Sequence, residues 1–236
     1  MKPRFSGMDR TLWPALIALA GAFLLFEFTS IDLWLQDFFF NFSTKQWLVD
    51  EDAPIPILFF YTGPKVLIIA LSVGLFVLAA GPARWRARWP VPGARRVDIW
   101  VAIATLAAAP GLIAISKATT NVFCPRDIQR YGGSVPYVRV MEICEPGTRP
   151  EKRGRCFPAG HASGGYALFG LAGLATTRRG RWIGVGIGFV VGSIMGVYQM
   201  LKGAHYLSHT VVTVLVCWIV FLLLRRLFKA AELAGA

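Results

Sequence analysis

A chain of 236 residues that is 55% hydrophobic and only 16% charged, with a mean hydropathy of +0.53, is not built as a water-soluble domain. Its net charge of +12 would suit nucleic acid, but the basic residues stand between apolar blocks and no nucleic-acid-reading motif accompanies them. In that position they act as topology signals and meet anionic lipid head groups.

Six apolar blocks follow one another along the chain, at about 12–28, 55–81, 97–116, 161–177, 182–200 and 207–228. Each approaches the ~20 residues of a spanning helix, the fourth being short. The expectation is an all-α integral membrane bundle of six transmembrane helices, forming one domain over 1–236. The first block follows Lys2, Arg4 and Arg10 and so has the look of a signal peptide, but its apolar run continues through Phe28, which favours a retained helix. Residues 31–42 are too short to span and are interrupted by Asp32 and Asp37; they read as an amphipathic helix at the interface. In the second block, Pro64 is expected to kink the helix beside Lys65. Glu27 and Lys65, both toward the same membrane face, could form an ion pair. The glycines of blocks four and five (Gly164, Gly165, Gly170, Gly173, Gly184, Gly186, Gly188, Gly192) point to close helix packing.

With the N-terminus in the cytoplasm, the N-terminus, the inner loops and the C-terminal tail together hold 14 Lys and Arg against three acids, as the positive-inside rule expects. Six spans place both termini inside. The long segment 117–160, the ends of blocks three and five and the starts of blocks four and six then share the outer face. Every unusual polar residue lies on that face.

Three short segments meet there: 117–127, beginning at Lys117 and containing Cys124-Pro125-Arg126-Asp127; 158–161, Pro158-Ala159-Gly160-His161; and 202–209, from Lys202 through His205 to His209. A histidine at a helix start beside Gly160 sits among free backbone N–H groups that favour an anion. Lys and Arg nearby add charge-assisted hydrogen bonds to phosphate oxygens. His205 and His209, four residues apart, share one helical face, so one can attack phosphorus while the other fixes its tautomer. His161 is free to protonate the departing oxygen. These are the parts of a phosphoester-cleaving site that works without metal. The expected cofactor is none: paired histidines could hold haem or a metal, but these stand at one surface beside cations.

At these residues the chain resembles the type 2 phosphatidic acid phosphatase (PAP2) superfamily, whose signature is K-x6-R-P, then P-S-G-H, then S-R-x5-H-x3-D. The resemblance covers 117–209 within a core of about 55–228. It implies two-step hydrolysis through a phosphohistidine, with His205 as nucleophile, His161 as general acid and Lys117 on the phosphate. Four positions depart from the signature. Cys124 replaces the arginine, with Arg126 and Arg130 as alternative substitutes. Ala159 replaces the serine, Tyr198 and Gln199 replace Ser-Arg with Lys202 one turn on, and His209 replaces the aspartate. The substrate-binding set is therefore Lys117, Arg126 or Arg130, Lys202 and Gly160, with Lys65, Asp127 and Gln199 as further candidates. Cys124 and Cys156 flank motifs that must converge and are the better-placed disulfide pair; Cys144–Cys156 is the rival, and Cys217 reads as a buried apolar residue. A cysteine-phosphatase reading of Cys124-Pro-Arg126 lacks the C-x5-R cradle. The basic loop 145–155 could dock a polyanionic head group.

The expected protein is a bacterial inner-membrane lipid phosphatase with its termini cytoplasmic and its site periplasmic. Its partner is a lipid phosphate in the membrane: lipid A, phosphatidylglycerol phosphate or phosphatidic acid. Undecaprenyl diphosphate hydrolysis and lipid phosphotransfer use the same intermediate. A catalytically silent lipid-binding or transport protein is the rival from another class.

Overall fold

A computed structural model describes residue 8 and residues 10–88, 94–142 and 153–234. Helix α1 (Leu12–Phe28) coincides with the first apolar block, and the chain turns by 71° into α2 (Ile31–Asp37). The interfacial helix expected over 31–42 stops early. Asn41 accepts hydrogen bonds from the N–H groups of Ser43 and Thr44, a side-chain turn that competes with helix, and a small hairpin forms from β1 (Phe40–Asn41) and β2 (Gln46–Trp47).

Helix α3 (Pro54–Ala80) spans the second block. Pro64 lacks an N–H, and just ahead of it the backbone widens into a π-helical turn over Leu58–Thr62, with the Gly63 N–H reaching back to Leu58 O. The expected irregularity is present as a wide turn. After a short α4 (Ala83–Ala87), α5 (Arg96–Thr119) starts at a reciprocal cap between Arg95 and Asp98. Later come α6 (Gly160–Tyr166), a tighter 3₁₀ turn over Ala167–Gly170, α7 (Leu171–Leu174), α8 (Arg178–Leu201) and α9 (Leu207–Ala234).

Among the described residues, four helical segments are long and apolar enough to cross a membrane: Pro54–Ala80, Arg96–Thr119, Arg178–Leu201 and Leu207–Glu232. The bent pair α1–α2 would make a fifth. The six-span count is not reproduced, because the block at 161–177 is not one continuous helix. Its glycines explain why. A Cβ on Gly165 would overlap the backbone of Gly192, and one on Gly170 would press on Ala102. The segment is thus wedged between α5 and α8 with its backbone touching both, and it needs neither lipid contact nor regular length. The expected close packing is present at Gly165, Gly170, Gly184, Gly188 and Gly192 but not at Gly186, which has nothing within 4 Å; that packing also breaks the helix.

Ala102 and Ala109 of α5, Tyr166 of α6, Phe169, and Cys217 and Phe221 of α9 form the centre of the bundle. Leu67 and Val73 on α3 and Ile183 and Phe189 on α8 point outward, more than half exposed, as side chains facing hydrocarbon do. Both the outward apolar faces and the small-residue interior are membrane-protein features.

Candidate active site

The three histidines converge from two elements. His161 is the second residue of α6, His205 sits in the turn between α8 and α9, and His209 lies in the first turn of α9. His161 Nδ1 is 3.4 Å from His205 Nε2, and His205 Nδ1 is 3.2 Å from His209 Nδ1. The rings form a chain with His205 in the middle. His205 and His209 are almost wholly buried, whereas His161 is half-buried and faces a cavity.

The turn that presents His205 is held from several sides. The N–H groups of Ala204 and His205 both donate to Gln199 O, and Arg126 N–H donates to Gly203 O at 2.9 Å. Gln36 of α2, fully buried, donates from Nε2 to Met200 O at 2.7 Å. Gly203 has φ +70°, and a Cβ there would collide with the Trp47 indole. Gly203→Ala is therefore expected to lower stability by about 1–3 kcal/mol and to misplace His205; thermal unfolding and activity of the variant check both. On the other side, Ala159 N–H donates to Thr213 Oγ1 at 2.9 Å while Thr213 donates to His209 O, tying the 158–161 turn to α9. The Cys124–Cys156 disulfide joins the first and second segments, with Cys156 Sγ 3.5 Å from His205 Nδ1. Its formation removes Cys124 as a nucleophile. Cys144 and residues 145–152 of the basic loop lie outside the described residues; Arg153, at its described end, donates to Thr119 O and Thr120 O and so caps α5.

Burial is the main force holding the His205 imidazole well below its ordinary pKa, and the charges of His209, His161 and Lys117 act in the same direction. The ring is neutral at physiological pH, with a lone pair available. Lys202 is also lowered, by burial first and by Arg126 second. Burial first, and then the positive charges of Lys117, Lys202, Lys65 and Arg126, lower the His161 imidazole to about 4. Lys117 Nζ lies against the open face of Gly160, where a Cβ would stand 3.5 Å away. Lys65 and Lys202 lie over the rings of Tyr61 and Tyr198.

Other candidates are placed elsewhere. Arg130 makes a bidentate pair with Asp37, whose carboxyl it holds below the usual range, and it is not turned toward the histidines. Arg126 is the arginine at the site, although its guanidinium is paired with Glu51. Asp127 accepts from Cys124 N–H and caps the turn at 125–127, a structural task. Gln199 is buried and serves through its backbone carbonyl. Glu27 accepts from Met141 N–H and does not pair with Lys65. Cys217 is free and buried, as expected of an apolar residue.

Three groups escape sequence reasoning. Tyr61 stands edge-on to His161 with centroids 5.0 Å apart. Gln36 supports the 200–205 turn. Asp32 accepts from Ser208 N–H at 2.8 Å and so caps α9 from a segment 176 residues away. Burial raises the Asp32 carboxyl to about 6 despite the hydrogen bonds from Ser208 and Leu207. Asp32 and Gln36 are four residues apart on one face of α2, a spacing visible in the sequence.

The ligand atoms of Cys156, His205 and His209 lie within 4.8 Å of one another, but the cysteine sulfur is engaged in the disulfide and is no thiolate ligand. What the arrangement suits is an anion held by lysines before a neutral imidazole.

Helices able to cross a membrane and a histidine–lysine site at their ends define a class, a membrane protein of phosphate-ester chemistry. The family model of the PAP2 superfamily matches residues 98–232, more than half of the chain, and the protein belongs to that superfamily, whose activity is phosphatase action on phosphate esters. The match begins in α5 and takes in the segments 117–127, 158–161 and 202–209, with all three histidines. None of the curated proteins and none of the solved structures matches the chain.

Proposed function

We propose that the protein is a membrane lipid phosphatase that hydrolyses the phosphomonoester or diphosphate of a lipid at the periplasmic face of a bacterial inner membrane, through a phosphohistidine at His205. The observation that carries this reading is a cavity of about 490 Å³ beside His161. Its rim is cationic, with Lys65 and Lys117; its walls are apolar, with Ile68, Ile69, Leu106 and Pro110. Between Lys117 and Leu106 the wall descends α5 by roughly 16 Å at 1.5 Å per residue, about one leaflet of hydrocarbon. Such a cavity accepts a phosphate at its mouth and a lipid chain below. The basic inner loops support the orientation.

In this reading His205 keeps its proton on Nδ1, shared with His209, and attacks phosphorus with Nε2. Bound phosphate offsets the cations that otherwise hold His161 neutral, so His161 takes up a proton and gives it to the lipid oxygen as that bond breaks. Water then attacks the phosphohistidine, returns a proton to His161 and releases inorganic phosphate. Lys117, Lys202 and Arg126 hold the phosphoryl oxygens. The two rings now 3.4 Å apart must part to admit the phosphate, and His161 is the less buried of the two.

The test is phosphate release by the purified protein from lipid A, phosphatidylglycerol phosphate, phosphatidic acid and undecaprenyl diphosphate. Release from at least one is expected; none from any would refute the enzyme reading and leave the silent lipid-binding protein. Lys117→Ala is expected to lower kcat/KM by about 10- to 100-fold, mainly through KM, since it removes a charge-assisted bond to phosphate. Unchanged kinetics would take Lys117 out of the site.

A further inference from the structure

Behind the histidine chain, on the side away from the lipid cavity, lies a second and much smaller cavity of about 20 Å³. His209, Asp32, Tyr206 and Arg139 border it. Its volume fits a single water. Half of its lining is apolar, but polar groups stand among it: the Tyr206 hydroxyl and Arg139 Nε are buried with no partner, Glu27 is a second carboxylate, and Asp32 is 5% exposed and accepts from Ser208 and Leu207. The Tyr206 ring stands edge-on to His209 with centroids 5.2 Å apart.

A buried carboxylate is an expensive way to cap a helix. Asparagine would accept the same bond from Ser208 N–H without desolvating a charge. The charge itself therefore has another use. His205 becomes cationic when it is phosphorylated, and its Nδ1 is met by the His209 imidazole and the Cys156 sulfur, neither of which stabilises that charge as a carboxylate would. His209, accepting at Nδ1, carries its own proton on Nε2.

We propose that Asp32 is a positioning residue of the reaction, acting through His209 across the small cavity, so that the relay runs from His205 to His209 to the Asp32 carboxylate. During attack the Nδ1 proton of His205 shifts toward His209, whose positive charge Asp32 balances. No group outside the relay is consumed, and the proton returns when phosphate leaves. The inference rests on the proposed phosphohistidine mechanism.

The experiment uses Asp32→Asn and His209→Asp, singly and together, in the full-length protein, with kcat, KM and melting temperature measured on one lipid phosphate that the wild type hydrolyses. For Asp32→Asn the expectation is a fall in kcat of at least tenfold, KM within twofold, and a melting temperature equal to or above that of the wild type. A mere capping role predicts unchanged kcat with unchanged or raised stability. In the His209→Asp background, where a carboxylate already touches His205, Asp32→Asn is expected to change kcat by less than twofold. Kcat within twofold for Asp32→Asn in the wild-type background overturns the proposal, as does an equal loss in both backgrounds. An inactive wild type would instead refute the phosphatase reading itself.

Discussion

Replacing His205 with alanine is expected to lower kcat by at least about 10⁴-fold on every lipid phosphate that the wild type hydrolyses. The ring is the middle member of the chain, with His161 at 3.4 Å on one nitrogen and His209 at 3.2 Å on the other, so no neighbour can take its place without moving. It is 2% exposed, held neutral by burial, and fixed by a turn tied to Gln199, Arg126 and Gln36. Removing a buried imidazole also leaves a cavity, so His205→Gln serves as the control for folding. A quench during turnover is expected to trap an acid-labile, base-stable phosphoryl label on the wild-type chain and none on either variant. Activity of His205→Ala within tenfold of the wild type, or a label on another residue, would end the mechanism.

The sequence made the histidines legible because their chemistry depends on spacing along the chain. His205 and His209 lie one turn apart, and His161 stands beside Gly160 at a helix start; the fold brings these 44-residue-distant groups into contact. The supports were less legible. Asp32 reads as an interruption of an apolar segment, and Gln36 does not stand out there. A polar side chain at a membrane interface reads the same whether it faces water or closes a helix 176 residues away. Their i, i+4 spacing was the available signal, since two polar groups on one face of a short helix have a common destination. Arg130 and Arg126 were indistinguishable by composition; the separation came from Asp37, which holds Arg130 away from the site.

The count of six spans is not confirmed, for a related reason. Hydropathy registers how apolar a segment is, and residues 161–177 are apolar. It does not register whether the neighbours are lipid or backbone. The glycines that let Gly165 approach Gly192 make the segment an interior wedge, so its polar N-terminal turn is set beside Lys117, where His161 needs it. The break in the fourth block and the position of His161 are thus one feature. The extended hairpin after Asp37 likewise follows from Asn41, whose side chain takes two backbone N–H groups from any continuing helix.

His161→Ala is expected to separate proton donation from phosphate binding. With a lipid phosphate, whose alkoxide cannot leave without a proton, kcat/KM should fall by about 10²- to 10⁴-fold, the range that general acid catalysis supplies. With nitrophenyl phosphate the phenolate leaves unassisted, and the first-turnover burst of nitrophenolate should stay within about tenfold of the wild type. Steady-state turnover of the same substrate should nevertheless slow, because His161 also takes the proton from the water that attacks the phosphohistidine. The label on His205 should then accumulate, which a quench at steady state measures. Equal losses with both leaving groups in the first turnover would mean that His161 binds the phosphoryl group and the proton comes from elsewhere.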